Sequence, residues 1–532
     1  MKRYSVLSET TLSYNTVLDE VHEISALLGY ELQKNNTIGI NVNGNNVYQL
    51  LGEPLNYSML APEDVTVNER EETIQRESIF ARVAYAYDDR YLVSASLRRD
   101  GDSRFGANNK HEVFPAFSLG WNLHNESFFN QEGFITKLKP RISYGSLGTT
   151  SNLGAYNALS FINAAPTPLG NSFGIPNDVA NPDLTWQTNT ETNIGVDLGF
   201  LNNNITLGID YYTSDIENIL IDLSVSEVFG RNSIRVNSGD VKSSGLEFEL
   251  NARILNNNDF SWSMGANLST VNTEITDLGP LSQLPDQIYG TSGRGAVYRN
   301  YVGGEIGELW GLETTGRAEE SFMINPLDTP GALSGEVYVV DQNGDGVIDA
   351  TKPVDQGGDL VKLGSNTPDF YWGMTHNFNY KNFDMSMQFQ GSHGGVIYNV
   401  DPLYYGQNWG GRMRSSFDAD KDGIADHNGL HYKRDRDQTD STVQDSDFVA
   451  LRNLTIGYTL DNDLVNKSGL SGVRVYAAAT NLLYLTADNY TSYNPEGVNT
   501  SNSGYGGPTT YGHQEGANPI LRTFTFGINL NF

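Results

Sequence analysis

The chain has 532 residues, a formal charge of −30 from 34 Lys and Arg against 64 Asp and Glu, and no cysteine. The acidity argues against nucleic-acid binding, because nothing would neutralise phosphates, and zero Cys excludes disulfides, thiolate metal sites and thiol nucleophiles. No run of about 18 apolar residues exists, which excludes a transmembrane helix but not spanning strands, which need only every second residue apolar.

Met1-Lys2-Arg3-Tyr4-Ser5-Val6 has neither an apolar h-region nor a cleavage site, so it is not a signal peptide. For a surface protein this start suggests a chain that begins partway through a longer one. Tyr4 to Tyr14 and His22 to Lys34 read as strands around a turn at Asn15 to Glu20, and residues 35–76 read as a polar excursion with short strand-like pieces. Ile79, Ala81, Val83, Tyr85 and Tyr87 alternate with Phe80, Arg82, Ala84, Ala86 and Asp88. Asp88-Asp89-Arg90 turns the chain, and Tyr91, Val93, Ala95 and Leu97 return it, a hairpin with a short connection. Arg98 to Gly106 reads as a polar loop.

The device repeats. Ile194, Val196, Leu198 and Phe200 lead through Leu201 to Asn204 into Ile205, Leu207, Ile209 and Tyr211. Leu246, Phe248 and Leu250 oppose Glu247, Glu249 and Asn251, and after Asn256 to Asp259 come Phe260, Trp262, Met264, Ala266 and Leu268. Trp372, Met374, His376, Phe378 and Tyr380 pass through Lys381-Asn382 to Phe383, Met385, Met387 and Phe389. The terminal stretch Arg522 to Phe532 alternates strictly, with Phe524, Phe526, Ile528, Leu530 and Phe532 on one side. About ten tilted residues cross a bilayer core, so this is the pattern of an outer-membrane strand.

Short turns at 88–90, 201–204, 256–259 and 381–382 contrast with long connections at about 147–189, 271–369, 391–447 and 482–520. That asymmetry suits a transmembrane antiparallel β-barrel better than a sandwich. Roughly sixteen strands are expected. Glu247 and Glu249 should face the lumen, since a lipid-facing charge costs a few kcal/mol.

Two loops carry oxygen donors at Ca²⁺-loop spacing: Asp341, Asn343, Asp345 and Asp349 with Gly346, and Asp418, Asp420, Asp422 and Asp426 with Gly423. Both lack the bidentate Glu of an EF-hand, with Lys352 and Gly429 in its place. The first is read preferentially as a hydrated turn and the second as a structural Ca²⁺ site. His427 and His431 lie in a Gly/Asp-rich loop and make a poor zinc pair, and no catalytic constellation is evident. Tyr404, Tyr405 and Trp409 beside Asp401, Asn408 and Arg412 suit contact with a sugar, a peptide or a covering partner, or packing of the loop itself.

Several segments, in order, carry a family resemblance: Asp88 to Gly106, Phe114 to Trp121, Asn181 to Trp186 with Glu191-Thr192-Asn193, Gly239 to Glu247, Asp341 to Asp349, Thr367 to Phe370, Leu451 to Tyr458 and Arg522 to Gly527. With them the chain resembles the C-terminal barrel portion of a SusC/RagA-type TonB-linked outer-membrane transporter. The resemblance implies a barrel of 22 strands around a plug, with this chain supplying roughly the last sixteen and no plug-like domain ahead of them. It further implies nutrient import, of an oligosaccharide or a peptide, across the outer membrane of a Gram-negative bacterium. The partners implied are a SusD-like surface lipoprotein and TonB, acting through the missing N-terminal part, together with outer-membrane lipid. No bond is made or broken, so no enzyme is expected, and no cofactor is required; the one ion the loops suggest is a structural Ca²⁺. A soluble or surface β-rich glycan-binding protein and a passive porin are the competing readings.

Overall fold

The computed structural model describes residues 1–44, 64–150, 153–159, 162–166, 172–176, 180–224, 233–289, 296–313, 340–399, 439–461, 465, 469–498 and 508–532. In chain order the strands are β1 (Lys2–Leu18), β2 (His22–Gly44), β3 (Val65–Tyr87), β4 (Tyr91–Asp102), β5 (His111–Trp121), β6 (Ile135–Thr149), β7 (Ile162–Pro166), β8 (Ser172–Pro176) and β9 (Gln187–Phe200). Next come β10 (Ile205–Ser224), β11 (Ser233–Asn256), β12 (Phe260–Ser269), β13 (Asn272–Asp277), β14 (Gln287–Tyr289), β15 (Ala296–Arg299), β16 (Glu308–Gly311) and β17 (Val361–Ser365). The last are β18 (Phe370–Tyr380), β19 (Phe383–His393), β20 (Val396–Asn399), β21 (Val443–Asp445), β22 (Phe448–Thr459), β23 (Gly472–Thr486), β24 (His513–Gln514) and β25 (Thr523–Asn531).

Sixteen of these form one sheet, paired β1-β2-β3-β4-β5-β6-β9-β10-β11-β12-β18-β19-β22-β23-β25, with β13 paired to β11. The expected number of strands is therefore present, and along this path, β13 aside, each strand pairs with the next strand of the same sheet in sequence. The chain divides into two compact units, Met1–Glu126 with Arg141–Thr192 and Ser214–Gly239, and Ser127–Pro140 with Asn193–Thr213 and Asp240–Phe532.

The turns explain why the hairpins close where they do. Asp88 and Asp89 have φ of 50° and 48°, Leu201, Asn202 and Asn203 have 52°, 57° and 59°, and Lys381 has 51°. Left-handed backbone suits the short polar side chains that dominate these turns, so the strands end where the sequence places Asp and Asn. Two expectations need correction. Residues 35–76 are not an excursion throughout: β2 continues to Gly44 and β3 begins at Val65, in register from His22↔Tyr87 to Gly44↔Val65. β1 likewise runs to Leu18, past the expected turn at Asn15. In β3 the charged run Glu69, Arg70, Glu71 and Glu72 leaves neither face apolar and hides the strand, whereas in β2 Ile38, Ile40 and Val42 still alternate. At 23 residues each, β2 and β3 exceed the roughly 10 needed to cross a bilayer, so the surplus need not be greasy.

In the first unit, Arg98 to Gly106 is not a loop throughout, because β4 extends to Asp102. Beyond it, Gly106 N–H donates to the Leu184 carbonyl at 3.0 Å. A Cβ on Gly106 would stand 2.0 Å from the Pro182 carbonyl oxygen, so the close approach requires glycine. Phe105, Phe114, Leu153, Ala158, Leu184 and Trp186 form a buried cluster there. The Asp100-to-Gly106 and Asn181-to-Trp186 segments are thus two halves of one packed knot.

At the opposite strand ends, near the 88–90 turn, rings line up: His22 with Tyr87 (centroids 5.1 Å), Tyr87 with Tyr91 (6.3 Å) and Tyr91 with Trp121 (6.2 Å). Aromatic rows at strand ends are what a bilayer interface favours. Glu126 beside them accepts from Tyr91 Oη (2.6 Å), Trp121 Nε1 (3.0 Å) and Arg90 (3.2 Å), and these donors hold its carboxyl below the usual carboxylate range.

In the second unit the long connections carry structure that alternation did not reveal. β14-β15-β16-β17 form a four-stranded sheet and β21-β20-β24 a three-stranded one, both drawn from the segments between β13 and β25. Tyr298, Leu309 and Tyr398 are buried together, as are Leu312, Ile348 and Leu360. Glu308, 2% exposed, is fully partnered by the Glu305 N–H, Lys362 Nζ and Trp310 Nε1 at 2.9–3.0 Å. Burial pushes its carboxyl up, but these donors outweigh that and hold it below the usual range.

Candidate functional site

Period-two alternation gives each strand two faces, and cross-strand register decides whether like faces align. In the second unit they do. On one face Leu246 to Ala252, Trp262 to Leu268, Trp372 to Tyr380, Phe383 to Met387 and Phe524 to Leu530 carry alternate apolar side chains. Trp262, His376 and Phe378 stack there, and Trp262 Nε1 donates to His376 Nδ1 at 3.2 Å.

The other face is wet and runs in register across the strands. Glu249, Asn267, Gly373 and Gln390 make one row. Asn251, Gly265, Thr375, Gln388, Asn453, Thr480 and Thr523 make the next. Glu247, Ser269, Tyr371 and Ser392 make a third. Glu247 and Glu249 therefore occupy the polar face, as the alternation required, and both are exposed. The members of these rows on β11, β12 and β18, with Gln388 and Gln390 of β19, line a concavity of about 1050 Å³. Glycine at alternate positions gives the amides room: a Cβ on Gly373 would lie 2.7 Å from Asn267 Oδ1. Asn453 Nδ2 donates to Gln388 Oε1 at 2.7 Å. The wall presents amides and hydroxyls that donate and accept, beside the Glu247 and Glu249 carboxylates, the equipment for a polar ligand.

Arg452 ties this wall to the connection after β23. Its Nε donates to Gln390 Oε1 at 3.1 Å and Nη1 to Asn481 Oδ1 at 3.3 Å, and Nη2 pairs with Glu496. Its guanidinium lies 5.3 Å from the Phe448 ring and 5.5 Å from the Tyr484 ring, which stack on each other. Tyr484 Oη also donates to Glu496 at 3.1 Å. Arg452→Gln should release the Glu496 segment, raising amide exchange over residues 487–498 while leaving β22 pairing intact.

Among the residues singled out from sequence, Asp418, Asp420, Asp422, Asp426, Tyr404, Tyr405 and Trp409 lie outside the described residues. Asp341, Asn343, Asp345 and Asp349 are described. Asp341 accepts from the Gly344 and Gly346 amides at 2.7 Å, Asn343 from the Asp345 amide at 2.9 Å, and Asp345 from the Val347 amide at 2.7 Å. Asp359, fully buried, accepts from the Gln342 and Asp349 amides at 2.8 and 2.7 Å and latches both ends. Hydrogen bonds from Thr351 hold the Asp349 carboxyl below its usual range. Asp349 Oδ1 accepts twice from Thr351, and among the described residues no three carboxylates or imidazoles are grouped as metal ligands, so the loop is held by its own amides.

Asp359→Ala strands two amides, about 1–3 kcal/mol each if they stay buried, and is expected to open residues 341–359 to protease. Protection restored by Ca²⁺ and removed by EGTA would identify the loop as cation-ordered. Indifference to Ca²⁺ would identify a turn held by its own amides.

Two-residue alternation marks the apolar partners of each strand and leaves the wet-face rows unmarked. Tyr371, Gly373, Thr375 and Asn377 were legible as the interleaved set, but their alignment with Asn267 and Gln390 needed the register.

The family model described as TonB dependent receptor-like, beta-barrel, matches residues 3–350. TonB-dependent receptor P3 of Formosa agariphila is 30% identical over 99% of this chain and 52% of that protein. TonB-dependent receptor SusC of Bacteroides thetaiotaomicron is 28% identical over 88% of this chain and 45% of its own length. The chain thus spans about half the length of the curated relatives it matches. Its fold resembles that in the structure of the RagAB peptide importer in the 'open-open' state, at a TM-score of 0.78 and 22% identity, covering 100% of this chain and 55% of that one. With the sixteen-stranded antiparallel sheet and its two chemically distinct faces, the match over residues 3–350 makes this chain a member of the TonB-dependent receptor β-barrel family.

Proposed function

We propose that this chain forms the wall and long-connection face of an outer-membrane importer that takes up a polar nutrient, an oligosaccharide or a peptide, driven by TonB. The observation that carries the reading is the aligned two-faced sheet, with apolar residues on one side and a concave amide- and hydroxyl-lined wall on the other. An apolar outer face suits lipid, and a wet inner face suits passage of a hydrated solute. The wall's hydrogen-bonding groups suit recognition and passage of a solute. The folded connections between β13 and β25 supply a surface for a SusD-like lipoprotein, the partner the family resemblance suggests.

The test is uptake of labelled oligosaccharides and peptides by cells with and without the full-length gene, repeated after a protonophore collapses the drive to TonB. Loss of uptake in both conditions is expected. Uptake that survives depolarisation would indicate a passive porin. Recovery of the protein in the soluble fraction would indicate a glycan-binding protein instead.

A further inference from the structure

Lipid explains aromatic side chains on the apolar face, but not one on the wet face. Tyr371 is such a residue. It pairs with Ser269 on β12 and Ser392 on β19, both polar-face positions, and the residue is 45% exposed and lines the concavity. Its surroundings are hydrophilic: Glu247 lies beyond Ser269 in the same row, and Asn267 and Gln390 flank Gly373 in the next. An exposed ring costs hydrophobic free energy in such a place unless something covers it. Directly opposite residues stand about 5 Å apart and diagonal ones about 7–8 Å, so Asn267 and Gln390, diagonal to Tyr371, are within reach of the rim of a sugar ring lying on the tyrosine.

We propose that Tyr371 is a stacking platform for a pyranose ring, and that Asn267, Gln390 and Glu247 bond to its hydroxyls. A sugar has an apolar C–H face that suits an aromatic and a hydroxyl rim that suits amides and carboxylates. A peptide backbone would use the amides but has no matching need for the ring. This rests on the import reading above and narrows its substrate to neutral oligosaccharides.

The test is calorimetry on the full-length protein in detergent. The probes are neutral hexasaccharides (α- and β-linked glucose, β-linked xylose) and a set of uncharged tetrapeptides, against wild type, Tyr371→Ala and Tyr371→Phe. At least one hexasaccharide should bind wild type, weaken about tenfold in Tyr371→Ala, and hold within about twofold in Tyr371→Phe, which keeps the ring. An unchanged heat-modifiable gel shift checks that the variants fold. Equal saccharide affinity in wild type and Tyr371→Ala would overturn the platform alone. Peptide binding without saccharide binding would overturn it while leaving import standing. Binding of neither class would count against the import reading and take the platform with it.

Discussion

Replacing Asp102 by Asn should destabilise the protein by about 3–5 kcal/mol, the cost of removing one partner from a buried ion pair. Asp102 is 2% exposed and receives Arg104 Nε at 2.9 Å and Nη2 at 2.7 Å, with Arg76 Nε at 3.0 Å. Arg104 itself is buried and donates through Nη1 to the carbonyls of Thr150 (3.2 Å) and Leu153 (3.3 Å). The amide would keep the shape but leave Arg104 without its counter-charge, and the knot holding Phe105, Leu184 and Trp186 would loosen with it. Burial pushes the Asp102 carboxyl up, yet the hydrogen bonds and charges of Arg104 and Arg76 outweigh that and hold it below the ordinary range. A depressed carboxylate stabilises fully above its unfolded pKa of about 3.9, and the contribution fades as pH falls below that. Wild type should therefore lose thermal stability on acidification below about pH 4 more steeply than Asp102→Asn. The checks are the temperature at which the folded gel band disappears and its pH dependence. A variant as stable as wild type at neutral pH would show that the pair contributes nothing net.

Phe526→Arg and Thr525→Arg, adjacent on β25, should differ by about 2–4 kcal/mol, the cost of a cation on the lipid face near the bilayer midplane. Phe526 is 81% exposed and pairs with Ala477 on the apolar side, whereas Thr525 pairs with Ala478 on the wet side. A soluble sheet with one solvent-washed face would tolerate arginine at the exposed Phe526 at least as well as at Thr525. Urea unfolding in lipid vesicles measures both. Equal stability of the two variants would refute the assignment of faces to lipid and lumen.

Both experiments probe features that differ in how far the sequence disclosed them. The turns at Asp88-Asp89, Asn202-Asn203 and Lys381 announce themselves, because left-handed backbone restricts the residue types that fit. The apolar faces of β18, β19 and β25 are equally plain, because two-residue alternation is local and each strand must satisfy it alone. The extension of β3 through Glu69 to Glu72 stays hidden, since strand pairing beyond the bilayer asks nothing apolar of either face. The sheet β14-β15-β16-β17 is missed for another reason: its strands have three to five residues, too few to show a period.

By itself, then, the sequence determined that this is an all-β chain with membrane-type strands, short turns and long connections, and that Glu247 and Glu249 belong to the wet side. Only the tertiary structure decided which distant groups meet. It brought Gly106 against Pro182 and Leu184, Arg452 against Gln390 and Glu496, and Tyr371 into line with Asn267 and Gln390. The physical reason is that alternation and turn preference are properties of neighbours along the chain. Register across strands and the docking of loops depend instead on packing between segments that no local pattern relates.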